Sequence, residues 1–391
     1  MKKNESVGKK KLATKKTKIG KTVKPTTLIK QQKIKSIAQE KKAVSFKEKF
    51  FAGFKKTLHV LGWILGIVLS VIVLLFIYIN LPAKANNNDA QIGVTFSSLY
   101  AEQIGLDWKQ AYLAMLDDLK IKHVRLPVYW DRVEKTEGVY EFADLDWQLV
   151  EAQSRGVEIV LVVGQKVPRW PECYVPKWVG EDPSNLDQTR LKEKLLAFEN
   201  VVINRYKDHP EINRWQVENE PFLDFGICSK VNPALLDAEI AQVKTIDTSR
   251  PIVVTDSGEL SLWINAASRA DIFGTTMYRE VYSQKMGHWR YPIGPNFFKI
   301  KQLIIKLFAH QDNAIVIELQ GEPWVAGWTT DAPVADQLAS MNGEILADNV
   351  QFAKKTGMKE IYVWGVEWWC WMKVTQNNPT LWETAKTFVN N

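Results

Sequence analysis

Cysteine and histidine are scarce in this chain of 391 residues, with three Cys (Cys173, Cys228, Cys370) and five His. No Cys-x-x-Cys and no His-x-x-x-His occurs, so the usual zinc spacings and the dithiol redox motif are missing, and neither a metal nor a cofactor is expected. No Gly-rich dinucleotide or phosphate fingerprint follows the first strand-like run, which weakens a doubly wound nucleotide-binding sheet. Arginine is absent from the first 59 residues, which hold 19 Lys and three acids (Glu5, Glu40, Glu48), a net +16. The other 332 residues hold 32 basic and 41 acidic side chains, a net −9, so the overall charge of +7 describes the tail alone. With few aromatics and repelling like charges, residues 1–59 are predicted to be a disordered basic tail.

One long hydrophobic run is present. Val60 to Ile79 is 20 residues without a charge, enough at about 1.5 Å per residue to cross a bilayer core of about 30 Å. It reads as a transmembrane helix at 60–79. The Lys-rich flank stays cytoplasmic by the positive-inside rule, Trp63 and Tyr78 sit near the two interfaces, and everything after the 80–90 linker is extracytoplasmic. A cleaved signal peptide is the rival reading, with Ala83-Lys84-Ala85 as a small-residue site, but the long preceding tail favours a retained anchor. The lysines are read as setting topology and attracting anionic lipid rather than as binding nucleic acid. Outside the membrane a disulfide is permitted, and Cys173 and Cys228, which follow successive strands, are the candidate pair; the pairing is left open.

From residue 91 to 391, apolar β-branched runs alternate with segments of helical period. The strand candidates are Ile92–Phe96, His123–Val128, Glu158–Val163, Arg214–Val217, Ile252–Thr255, Asp271–Thr276, Ala314–Glu318 and Ile361–Trp364. Eight buried strands, most followed by a helix, in about 300 residues predict a (β/α)8 TIM barrel, in which residues just past each strand line one mouth. Those positions hold Arg125 and Trp130 at the second strand, Gln165 and Trp170 at the third, Asn219-Glu220-Pro221 at the fourth, Tyr278 at the sixth, Glu318 to Trp324 at the seventh and Trp364 to Trp371 at the eighth. Fifteen of the 16 Trp lie beyond the apolar run, and flat indoles around a mouth suit the C–H faces of sugars.

On these residues the chain resembles the clan A retaining glycoside hydrolases, the cellulase-like (β/α)8 superfamily that includes glycoside hydrolase family 5. Asn219-Glu220-Pro221 after a strand carrying Trp215 matches the family's Asn-Glu-Pro; Arg125 in Val-Arg-Leu-Pro, Tyr278 and Trp364 fall where the family keeps an arginine, a nucleophile-orienting tyrosine and a tryptophan. The resemblance implies Glu220 as acid/base, Glu318 as nucleophile, Asn219 at the sugar 2-hydroxyl, Arg125 and Tyr278 around Glu318, and Trp364, Trp170 and Trp130 against the carbohydrate. It also implies hydrolysis of a β-linked glycan by double displacement, in which one carboxylate attacks the anomeric carbon while the other carboxyl protonates the leaving oxygen. The chain departs from the pattern after Glu318, where Leu319-Gln320-Gly321 precedes a second acid, Glu322, the alternative nucleophile. A carbohydrate partner and a monomer are expected. A non-catalytic carbohydrate-binding barrel and a transglycosylase remain open at this point.

Overall fold

The computed structural model describes residues 25–84, 89–229, 232–283 and 285–389. The first 24 residues of the basic tail and residues 85–88 of the linker, including Ala85 of the alternative cleavage site, lie outside these. The chain divides into two units, Met1–Leu74 and Leu75–Asn391.

The N-terminal unit is dominated by one helix that begins at Pro25 and runs to Ile79. The tail expectation is corrected over residues 25–59, which are helical. Between residues 26 and 52 there is no Gly or Pro, and Lys, Gln, Glu and Ala are good helix formers that need no partner surface. Among the described residues, the stretch Ile29–Ile79 is the one helix long and apolar enough to cross a membrane, and its apolar window is unburied.

In the second unit all eight expected strands form and close on themselves. They are β1 (Gln91–Thr95), β2 (His123–Pro127), β3 (Glu158–Val163), β4 (Ile212–Val217), β5 (Ile252–Asp256) and β6 (Ile272–Met277), followed after a hairpin by β9 (Ala314–Gln320) and β10 (Glu360–Trp364). Their order, β1-β10-β9-β6-β5-β4-β3-β2, is a closed barrel of parallel pairs, for example Val94 beside Val124 and Trp215 beside Ile252. Burial on both faces explains why these strands read as unbroken apolar runs rather than alternating ones: Val160 and Val253 fill the barrel interior with Ile315, Ile317 and Tyr362, while Ile159, Leu161 and Val254 pack outward into the helical layer.

The hairpin was not foreseen. β7 (Glu280–Ser283) and β8 (Gly287–Arg290) pair antiparallel beyond the mouth, a four-residue alternation too short to stand out in sequence. A second difference follows β10, where Val366–Val374 is a helix. Trp368, Trp369 and Trp371, expected around the mouth, are buried in the core. Their indole nitrogens show the reason: that of Trp368 donates to Gln337 Oε1 at 2.7 Å and that of Trp369 to the Gly321 carbonyl at 2.6 Å.

Candidate active site

Arg125 is the hub of the barrel floor. Extending from β2 and fully buried, it donates Nε to Gln216 Oε1 (2.8 Å), one terminal nitrogen to Glu318 Oε2 (2.9 Å) and the other to Asn219 Oδ1 (2.6 Å). A guanidinium offers donors in a fixed fork, so one side chain sets three groups from β4, the turn after it and β9 at once. The other oxygen of Glu318 accepts the Tyr278 hydroxyl at 2.5 Å. Glu318 therefore sits inside the mouth with a cation on one oxygen and a phenol on the other. Burial first, and then the Glu318 charge, holds the Tyr278 phenol well above its ordinary value, so it stays a donor.

The strand end that carries Glu220 is strained. Glu218 and Glu220 both take left-handed backbone conformations, with φ of 60° and 45°, which non-glycine residues keep only when their surroundings enforce it. The Glu218 carboxylate accepts the backbone N–H groups of Gln165 and Lys166, each at 2.9 Å. A Cβ at Gly164, whose φ is 136°, would lie 2.8 Å from that carboxylate, so glycine is what admits it. Glu220 donates its N–H to Thr255 Oγ1 (2.8 Å) and its carboxyl accepts from Thr276 Oγ1 (3.0 Å). Burial, then the charge of Glu318, then that of Glu172, keeps the Glu220 carboxyl well above the ordinary carboxylic range. Two carboxyls in one mouth are thus pushed toward opposite tasks: one held by a cation and a phenol, the other inclined to keep its proton.

Above this floor lies a cavity of about 590 Å³ whose lining includes Glu220, Glu318, Tyr278, Trp170, Trp324 and Trp364. Trp170 is half exposed and meets Phe225 edge to face. Trp364 contributes less open surface, because the Arg169 guanidinium lies 3.9 Å over its ring and 3.8 Å over that of Tyr100. Glu322 also reaches the cavity, bound by Arg169 (2.5 Å) and by the Trp364 indole nitrogen (2.7 Å), while Arg169 pairs again with Glu367 at 2.6 Å. Glu318 and Glu322 therefore belong to separate networks, the first shared with Asn219 through Arg125 and the second with Glu367 through Arg169.

Trp130 is a correction. Although it follows β2, it is fully buried, stacks on Phe198 with ring centroids 5.2 Å apart and donates to Glu134 at 2.8 Å; it is core, not a sugar platform. Three side chains on the cavity wall had no role in the sequence reading: Arg169 and Glu172 after β3 and Glu259 after β5. Burial pushes Glu172 up to about 7 and Glu259 up to about 8. Cys173 and Cys228 form a disulfide with Cα atoms 5.3 Å apart. An acid beside a bridged cysteine in the loop after a barrel strand was the available signal for Glu172.

Residues 99–234, from before β2 to past Glu220, match the beta-galactosidase family model of glycoside hydrolase family 42. A probable mannan endo-1,4-beta-mannosidase F from Aspergillus oryzae is 24% identical over 183 residues, 44% of this chain and 38% of that protein. Its counterpart from Aspergillus flavus aligns with the same identity and coverage, so the matched part spans well under half of these curated relatives. Among solved structures, the beta-galactosidase of the Antarctic haloarchaeon Halorubrum lacusprofundi superposes with a TM-score of 0.54 at 13% identity, covering 77% of this chain and 57% of that one, which speaks to the fold. With a closed eight-strand barrel and these partial sequence matches, the chain is similar to the cellulase-like, clan A superfamily of glycoside hydrolases.

Proposed function

We propose that this protein is a membrane-anchored, extracytoplasmic glycosidase that hydrolyses a β-linked glycan with retention of configuration, Glu220 serving as acid/base and Glu318 as nucleophile. The observation that carries the reading is the split between the two carboxyls. Glu318 is held by Arg125 and Tyr278 at 2.9 and 2.5 Å, whereas Glu220 is raised by burial and by the charge of Glu318 itself. In the first step Glu318 attacks the anomeric carbon while Glu220 gives its proton to the leaving oxygen. Once Glu318 is esterified its charge is gone, Glu220 loses its proton more easily, and it can activate water for the second step. Asn219, which shares Arg125 with Glu318 and precedes Glu220 in the chain, is assigned to the sugar 2-hydroxyl. Glu322 is the less suitable nucleophile because Arg169 and Trp364 hold it in the cavity wall.

The anchor is assigned to 60–79, with residues 1–59 cytoplasmic and the 91–391 barrel outside. The Cys173–Cys228 disulfide supports an oxidising compartment. β-1,4-Mannan and β-galactosides, named for the relatives, are the first substrates to test. In the full chain, Glu220→Gln and Glu318→Gln should each abolish turnover of an activated aryl β-glycoside, and azide should restore it to Glu318→Ala as an α-glycosyl azide. Activity in Glu318→Gln together with an inactive Glu322→Gln would move the nucleophile to Glu322.

A further inference from the structure

The stretch after β3 folds back on itself and presents one acid to the floor of the cavity. Tyr174 N–H donates to the Gln165 carbonyl (3.0 Å), Val167 N–H to that of Glu172 (2.9 Å) and Glu172 N–H to that of Arg169 (2.7 Å). Glu172 has a φ of 75° and is almost wholly buried. The loop that follows Glu220 clamps it from the other side, through Ile227 N–H on the Pro171 carbonyl at 3.0 Å and the disulfide between Cys173 and Cys228. A Cβ at Gly226, whose φ is 90°, would lie 2.7 Å from both Glu172 Cβ and the Pro171 carbonyl oxygen, so the two loops meet too closely for any other residue there.

This construction delivers Glu172 Oε2 to the side-chain nitrogen of Asn219 at 3.0 Å. Because Asn219 Oδ1 is taken by Arg125, the amide can turn only one way, with its NH2 toward Glu172. We propose that Glu172 is a positioning residue of this site: it fixes the Asn219 amide for the sugar, next to Glu220 in the chain. The inference rests on the assignment of Glu220 and Glu318 above and adds a third carboxyl to it.

The charged and titratable groups facing Glu172 come from several elements: Lys166 from its own loop, Arg125 from β2, Glu318 from β9, Glu220 after β4, and the phenols of Tyr129 and Tyr174. Burial raises Glu172 to about 7, Lys166 pulls it down and Glu318 pushes it up. It therefore ionises around neutrality, and each ionised Glu172 makes the Glu220 proton harder to release, extending the acid form of Glu220 to higher pH.

The test uses the full chain and the pH dependence of kcat/KM on an activated aryl β-glycoside. Glu172→Gln keeps an acceptor for Asn219 but removes the charge, so the alkaline limb should move down by roughly one pH unit. Glu172→Ala loses the acceptor as well; kcat/KM should fall about tenfold on the plateau, and Glu172→Gln should recover most of that loss. A merely structural role would lower the melting temperature in both variants without moving the limb. An alkaline limb in Glu172→Gln identical to that of the unmodified chain, or a plateau in Glu172→Ala at the unmodified level, overturns the proposal. Glu318→Gln is the control: if it is active, the underlying assignment fails, and if it is inactive while the limb stays put, only the role of Glu172 fails.

Discussion

Replacing Tyr278 by phenylalanine would delete a single oxygen from the site, the one 2.5 Å from Glu318 Oε1. The ring should stay in place, because it also packs edge to face on Trp324 with centroids 5.3 Å apart. The phenol is pushed above its ordinary value by burial and then by Glu318, so at neutral pH the native bond is a neutral O–H donating to a carboxylate. A hydrogen bond to a charged group contributes about 1.5–3 kcal/mol. If that bond orients the nucleophile as its lone pair meets the anomeric carbon, its loss lowers kcat roughly 10- to 150-fold, at about 1.4 kcal/mol per decade. Steady-state turnover of aryl β-glycosides with good and poor leaving groups would locate the loss in glycosylation or in hydrolysis of the intermediate. A kcat within threefold of the native value for both substrates would refute the reasoning and take Tyr278 out of the nucleophile's environment.

Two further outcomes follow from burial. Glu199, Glu218 and Glu239 are fully buried where helices Gln188–Tyr206 and Pro233–Ile246 pack behind β4, and burial, with the Glu218 charge added, raises Glu199 to about 8. A carboxyl that binds its proton more tightly folded than unfolded contributes stability that is complete below about pH 4.5 and lost as pH rises toward 8, about 3 kcal/mol of it by pH 7. Glu199→Gln does not titrate, so in denaturant melts it should gain about that much on the native chain between pH 4.5 and 7; parallel stability curves would contradict the shift. The tryptophans separate platform from core: Trp170→Ala should raise KM for an oligosaccharide several-fold, roughly one lost stacking contact, with little change in melting temperature. Trp130→Ala should instead cost about 3–5 kcal/mol of stability, and the reverse pattern in the two variants would undo the correction of Trp130.

What could be read from the sequence was whatever has a period or a fixed offset from a strand. The eight strands were legible because burial on both faces leaves apolar runs, and Arg125, Asn219, Glu220, Tyr278 and Glu318 were legible because each stands in a strand or just past one. The structure joins all of these except Glu220 through the hydrogen bonds of Arg125 and Tyr278, and brings Glu220 into the same cavity. Arg169 and Glu172 were not assigned, since they lie in a loop whose return path depends on a disulfide, turns and a glycine contact that have no periodic trace, and Glu259 lies in the irregular loop after β5. Tryptophan was ambiguous for a physical reason. An indole at a strand end serves equally as platform or core, and only its surroundings decide: Glu134 and Phe198 for Trp130, open solvent for Trp170. The helix at 25–59 formed where like charge suggested disorder, because local propensity acts without a core.

The central claim is that Glu318 carries the sugar. Incubating the full chain with an activated 2-deoxy-2-fluoro-β-glycoside of its substrate slows hydrolysis of the intermediate more than its formation, so that the bond can be mapped by peptide mass spectrometry. The account predicts one sugar on Glu318 itself when the labelled peptide, which also holds Glu322, is fragmented, no sugar in Glu318→Gln, and a β-configured first product by NMR. A sugar on Glu322, or a first product of α configuration, would contradict it.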